Sequence, residues 1–158
     1  MSIPSFENMK LRYIPQVPQN IGLVRTEGGM YATANRGPGN PLQIEPETSG
    51  FLEYQTWRIG GTTTHGTPIL YTGDFEGGFH NDSNDTNCPV TLGNLSSYHI
   101  ETQQPIDGGW LILIRVPGGP LGVDKYIGAD DSTNTIVIKS FRAGTSQGLP
   151  GWFASLRK

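Results

Sequence analysis

"LIRVPGG", Leu113–Gly119, decides how this chain divides. Its apolar–Arg–apolar–Pro ending, followed by Gly-Gly, has a counterpart near the N-terminus. There "LRYIP", Leu11–Pro15, is followed after a loop by Gly28-Gly29. Between them "ILYTG", from Ile69, fills a similar slot ahead of Gly77-Gly78. Each lap of the pattern closes on an aromatic strand, at Trp57, Tyr98 and Trp152. The laps run roughly over 8–60, 61–106 and 107–158, within one domain spanning 1–158. A rival register that aligns "LVRTEGG" with "LIRVPGG" is rejected, because it leaves "MKLRYI" without a counterpart.

Within each lap, short β-rich runs alternate with turn clusters, and long helical periodicity is missing. The runs are "MKLRYI", "GMYATA", "LQIEP", "LEYQTWRI", "PILYT", "GFHN", "PVTLG", "SYHIET", "GWLILIRV", "LGVDKYIG", "TIVIKSF" and "GWFASL", twelve in all. Four-strand units that cannot bury a face alone can close around a shared axis. The expectation is an all-β chain, a β-trefoil of twelve strands in three four-strand repeats. Each Gly-Gly is expected to turn the chain into the second strand of its lap. Gln-x-Trp at Gln55–Trp57 and the other aromatic closers are expected to plug one end of the barrel, a role in the fold rather than in function.

Composition narrows the function classes. Twenty-two glycines and twelve prolines in 158 residues imply many turns, while "WLILIRV" and "TIVIKSF" argue for packed strands over disorder. A net charge of −3 offers no electrostatic case for nucleic acid or an anionic membrane. No apolar window approaches a membrane span, and "MSIPSFENMK" lacks the basic start and apolar stretch of a signal peptide. Cys88 is alone, so no internal disulfide forms. A cytoplasmic protein, a monomer or weak dimer without a cofactor, is expected.

Catalytic and metal motifs fail on inspection. "GTSQG", Gly144–Gly148, has the Gly-x-Ser-x-Gly spacing, but no helix follows it and no His lies downstream of Ser146. "HNDSNDTNC", His80–Cys88, is acidic, yet counting from Asp82 it lacks the Gly and the Glu of a calcium loop. His65, His80 and His99 are too widely spaced for a zinc site on one element. Glu45, Glu47 and Glu53 cluster in sequence, but sequence cannot make carboxylates converge. Sequons at Asn81, Asn84 and Asn94 matter only in the secretory pathway. A binding module is favoured over an enzyme.

The ordered set "SFEN…LRYIP…GGMYATA…IEPETSGFLEYQTW", "FEGGFHND…CPVTLG…SYHIE" and "IRVPGGPLGVDKYIG…IVIKSF…PGWFAS" resembles the mycocypins. These are mushroom β-trefoil protease inhibitors, the clitocypins and macrocypins. The resemblance spans nearly the whole chain from about Ser5. It implies inhibition of papain-like cysteine proteases by a wedge of two loops, the first between strands one and two, the second between strands three and four. Carried onto this chain, the first loop is Pro15–Gly29 and the second is Glu45–Phe51. The implied contact residues are Gln19, Asn20, Arg25, Glu27, Gly28, Gly29 and Met30 in the first and Glu47, Thr48, Ser49 and Gly50 in the second. Glycine lets a backbone press close to a cleft wall, and prolines 15, 18 and 46 lower the entropy lost on docking.

In the family, a loop between strands five and six carries an Asn against legumain or a basic residue against trypsin. The matching loop here, Thr72–Gly78, offers Asp74, Phe75 and Glu76 instead. Weak or absent inhibition of both enzymes is therefore expected. Two alternatives stay open. One is a carbohydrate-binding trefoil lectin using Asp74, Asp82 or Asp124 with neighbouring aromatics, although these acids do not sit at matching positions in the laps. The other is inhibition of a different protease class, such as aspartic proteases, through another loop.

Overall fold

A computed structural model of the chain describes residues 6–17, 29–47, 53–60, 66–73, 75–106, 108–118 and 120–156. These contain twelve strands and no α-helix. The first four are β1 (Phe6–Ile14), β2 (Met30–Thr33), β3 (Gln43–Pro46) and β4 (Trp57–Ile59). The next four are β5 (Thr67–Tyr71), β6 (Gly78–His80), β7 (Thr91–Gly93) and β8 (Ser97–Ile106). The last four are β9 (Gly109–Val116), β10 (Val123–Asp130), β11 (Thr135–Arg142) and β12 (Gly151–Leu156).

Antiparallel pairing closes six of these strands into a ring, in the order β1, β12, β9, β8, β5, β4 and back to β1. Closure leaves the barrel without a free edge. The other six form three hairpins, β2–β3, β6–β7 and β10–β11. A six-strand barrel with three hairpins is the β-trefoil that the sequence pattern suggests. The hairpins meet in a cycle of backbone hydrogen bonds. Leu42 N donates to Val90 O (2.8 Å), Val90 N to Ile136 O (2.9 Å) and Ile136 N to Leu42 O (2.9 Å). The repeat register is equally visible where first and second strands meet: Arg12 faces Tyr31 and Arg115 faces Tyr126. That pairing supports aligning "LRYIP" with "LIRVP".

Period-two alternation fills the barrel. Met9 and Leu11, Trp57 and Ile59, Tyr98 and Ile100, Ile112 and Ile114, and Trp152 and Ala154 all belong to one buried cluster. Trp57 and Trp152 play matching parts, their indole N–H groups donating to Ala32 O and Ile127 O at 3.0 Å each. The unbroken apolar run of β9 has a separate cause, since its outer face is covered as well. Leu111 packs with Ile14 and Phe153, and Leu113 with Tyr126 and Leu149.

Two local readings are corrected. "LEYQTWRI" is not one strand: Glu53–Gln55 form a 3-10 turn, held where Ala34 N bonds Tyr54 O at 2.9 Å, and β4 begins only at Trp57. The third Gly-Gly does not turn the chain into its second strand either. The glycines directly before β2, β6 and β10 are Gly29, Gly77 and Gly122, with φ of 89°, 153° and 87°. Gly118 lies five residues ahead of Val123, in the loop that leaves β9.

Candidate functional site

The register of the first hairpin brings the two suspected loops to one place. Met30 pairs with Pro46 and Tyr31 with Glu45, so Gly29 and Glu47 are the first residues beyond the two strands at the same end of the hairpin. The end of the β1–β2 loop and the start of the β3–β4 loop therefore leave the same end of the same hairpin. Of the implied contact residues, Gly29, Met30 and Glu47 are placed there, Gly29 and Glu47 exposed and Met30 half-buried. Gln19, Asn20, Arg25, Glu27 and Gly28 lie outside the described residues, as do Thr48, Ser49, Gly50 and Asp74.

What can be read directly is how the roots of these loops are held. The first loop is tied at its start, where Val17 N donates to Leu149 O at 2.9 Å. Val17 also packs against both outer clusters around β9. The second loop is gripped from below by Gln55, which is fully buried. Its amide nitrogen reaches Pro46 O at 3.1 Å, Glu45 O at 3.4 Å and Thr33 Oγ1 at 3.1 Å. From the side, Lys10 of β1 makes an ion pair with Glu47 and lies 5.6 Å from the Tyr31 ring centroid. Burial, and secondarily the Glu47 carboxylate, raise the Tyr31 hydroxyl pKa against the opposing pull of Lys10 and Arg12.

Beneath Gly29 the repeats differ in a way that sequence reading missed. In the third repeat Asp124, two residues before Tyr126, binds Arg115 Nη2 at 2.8 Å. The residue two before Tyr31 is Gly29, and a Cβ there would stand 2.5 Å from Arg12 Nε. Arg12 Nε and Nη1 are buried and make no hydrogen bond. Where one repeat builds an ion pair, the other slides a guanidinium under bare backbone at the base of the loop. The Arg of "LRYIP" served the sequence reading only as a repeat marker. Likewise Gln55 was read as part of a fold signature, yet its amide fixes the root of a loop.

The β5–β6 loop is built differently. Tyr71 N donates to Gly77 O at 2.8 Å, Phe75 packs against the main core, and Glu76 is exposed. Two of the three acids considered for lectin-like use are engaged elsewhere, Asp82 with His80 at 2.7 Å and Asp124 with Arg115. Among the described residues no three His, Cys, Asp or Glu side chains gather to hold a metal ion. Among the described residues no helix is long and apolar enough to cross a membrane.

No curated protein matches this chain. The profile of the peptidase inhibitor clitocypin family matches residues 10–153, from within β1 to within β12. With that match spanning all three repeats, the chain belongs to the clitocypin family, which comprises inhibitors of peptidases and not enzymes.

Proposed function

We propose that this chain inhibits papain-like cysteine proteases by filling the active-site cleft with its β1–β2 and β3–β4 loops. The observation that carries the reading is the hairpin register, which pairs Met30 with Pro46 so that both loops leave one end of one hairpin. Two loops that leave the same end of one hairpin can enter one substrate cleft together. Their roots are held by Val17, Gln55 and Lys10, so little order is lost on docking. The protease is the partner, and the inhibitor, a monomer or weak dimer, acts in the cytoplasm.

Papain titration tests this directly, using wild type and a variant in which residues 19–28 are replaced by Gly-Ser repeats of equal length. That exchange leaves the Val17 and Gly29 anchors in place. Papain left untouched by wild type at tens of micromolar sinks the proposal. Equal inhibition by both proteins shows that the first loop is not the wedge. Legumain and trypsin should be inhibited weakly or not at all, because the β5–β6 loop presents neither Asn nor a basic residue. Sub-micromolar inhibition of either enzyme contradicts that part.

A further inference from the structure

A cavity of about 600 Å³ lies beside the β5–β6 loop, within the size range of small-molecule sites. Its apolar wall is aromatic and firm. The Tyr71 ring is braced by Trp57 at a centroid distance of 5.6 Å, and Phe75 packs on the core behind it. Leu95, 45% exposed, forms the opposite lip. Three polar side chains line the same space: Arg58 from β4, Glu76 before β6, and Asn94 after β7. All three are exposed, and none makes a side-chain hydrogen bond or ion pair among the described residues. Some charged groups elsewhere on this surface are paired, as Lys10 is with Glu47 and Arg115 with Asp124. Here a donor, an acceptor and an amide that does both stand uncommitted around a ring-faced wall.

We infer that this cavity is a binding site for a neutral saccharide. Among the described lining residues one positive and one negative side chain cancel, which suits a neutral occupant. Hydroxyls that donate and accept suit a set made of Arg (donor only), Glu (acceptor only) and Asn (both). The C–H face of a pyranose suits the Tyr71 and Phe75 rings. A second cavity, about 380 Å³, shares Arg58 and Tyr71 and opens toward Asn8 and Thr72. The site therefore has room for two linked rings, with Arg58 at the junction. This site lies outside the hairpin that carries the proposed protease wedge, so its occupancy is independent of that reading.

The test is NMR titration of the labelled protein with neutral disaccharides (cellobiose, diacetylchitobiose, lactose, mannobiose) and with their single-ring methyl glycosides. At least one disaccharide should shift the amides of Arg58, Tyr71, Phe75 and Asn94. Its single-ring counterpart should bind about tenfold more weakly. Arg58→Ala and Glu76→Gln alter exposed side chains, and each should weaken binding about tenfold while leaving the rest of the spectrum unchanged. Three results overturn the inference: no disaccharide shifting these amides at tens of millimolar, binding that survives both substitutions, or a response confined to a zwitterionic dipeptide such as Gly-Phe.

Discussion

Replacing Gln55 by Leu asks how much one amide contributes to the root of the second loop. The side chain keeps its approximate volume, so little cavity is created. Two good donor bonds are lost, those to Pro46 O and Thr33 Oγ1 at 3.1 Å, together with the longer contact to Glu45 O. At about 1 kcal/mol net per bond, and more where a buried carbonyl is orphaned, the loss comes to roughly 3 kcal/mol. Against this stands Gln55 Oε1, which is buried and unbonded in the wild type. Removing it returns about 1 kcal/mol. The expected net destabilisation is about 2 kcal/mol, or a fall of roughly 4–8 °C in Tm for a chain of this size.

Gln55→Glu sharpens the test because it keeps the shape and replaces the donor with a second acceptor. That oxygen faces carbonyls, so the variant must bury a charge or hold a proton, and it should lose more stability than Gln55→Leu. Thermal melts followed by circular dichroism give the stability, and papain titration of the folded variants gives the function. Both variants should inhibit less well than wild type, because Pro46 and Glu47 lead directly into the loop. A Gln55→Glu protein that melts with wild type would show that the amide is not the clamp described here.

Gly78→Ala should cost at least about 3 kcal/mol in urea unfolding, because its Cβ would run into the Ile69 carbonyl on the paired strand. Gly122→Ala meets nothing within 4 Å and bears only the strain of φ 87°, about 1 kcal/mol, so equal midpoints for the two variants would refute the contrast. Tyr98, fully buried and pushed up chiefly by desolvation, keeps its proton in the folded state above the pH at which the unfolded chain releases it. Its contribution is complete below about pH 10 and falls by up to about 1.4 kcal/mol per pH unit above it, so a Tm unchanged between pH 8 and pH 11 contradicts the assignment. Asn81→Ala removes the acceptor of the Tyr98 hydroxyl at 2.7 Å and should lower Tm by roughly 4–8 °C, about 2 kcal/mol, measured at neutral pH.

The parts of this fold that sequence exposes are those where alternation is framed by turns. "GWLILIRV" and "GWFASL" become β9 and β12 with the bounds read from the sequence, because each starts at Gly and ends against a Pro-Gly turn or the C-terminal residues. β8 runs on to Ile106, four residues beyond "SYHIET", carried by its pairing with β9 across a register shift between Thr102 and Gln104. No local preference marks that extension in "QQPI"; the partner strand supplies it. The start of "LEYQTWRI" fails as strand for a similar reason. Tyr54 O is claimed by Ala34, which winds the segment into a turn before β4. The site was legible only as loops between strands. Its anchors were hidden because Gln55, Lys10 and Arg12 act across pairings, Gln55 to a residue 22 positions away and Lys10 to one 37 positions away.

The cycle joining Leu42, Val90 and Ile136 uses only main-chain groups, and each repeat gives one bond and receives one. Nothing in it reads a side chain. Three copies of one ancestral unit could satisfy it as separate molecules and equally as a fused chain. Because the cycle uses main-chain groups alone, the side chains at its three points are free to differ, and they are Leu, Val and Ile. An inhibitor scaffold profits from this arrangement. One repeat can give its loops to a protease while its siblings keep short turns, since the closure that holds them together is indifferent to what the loops become.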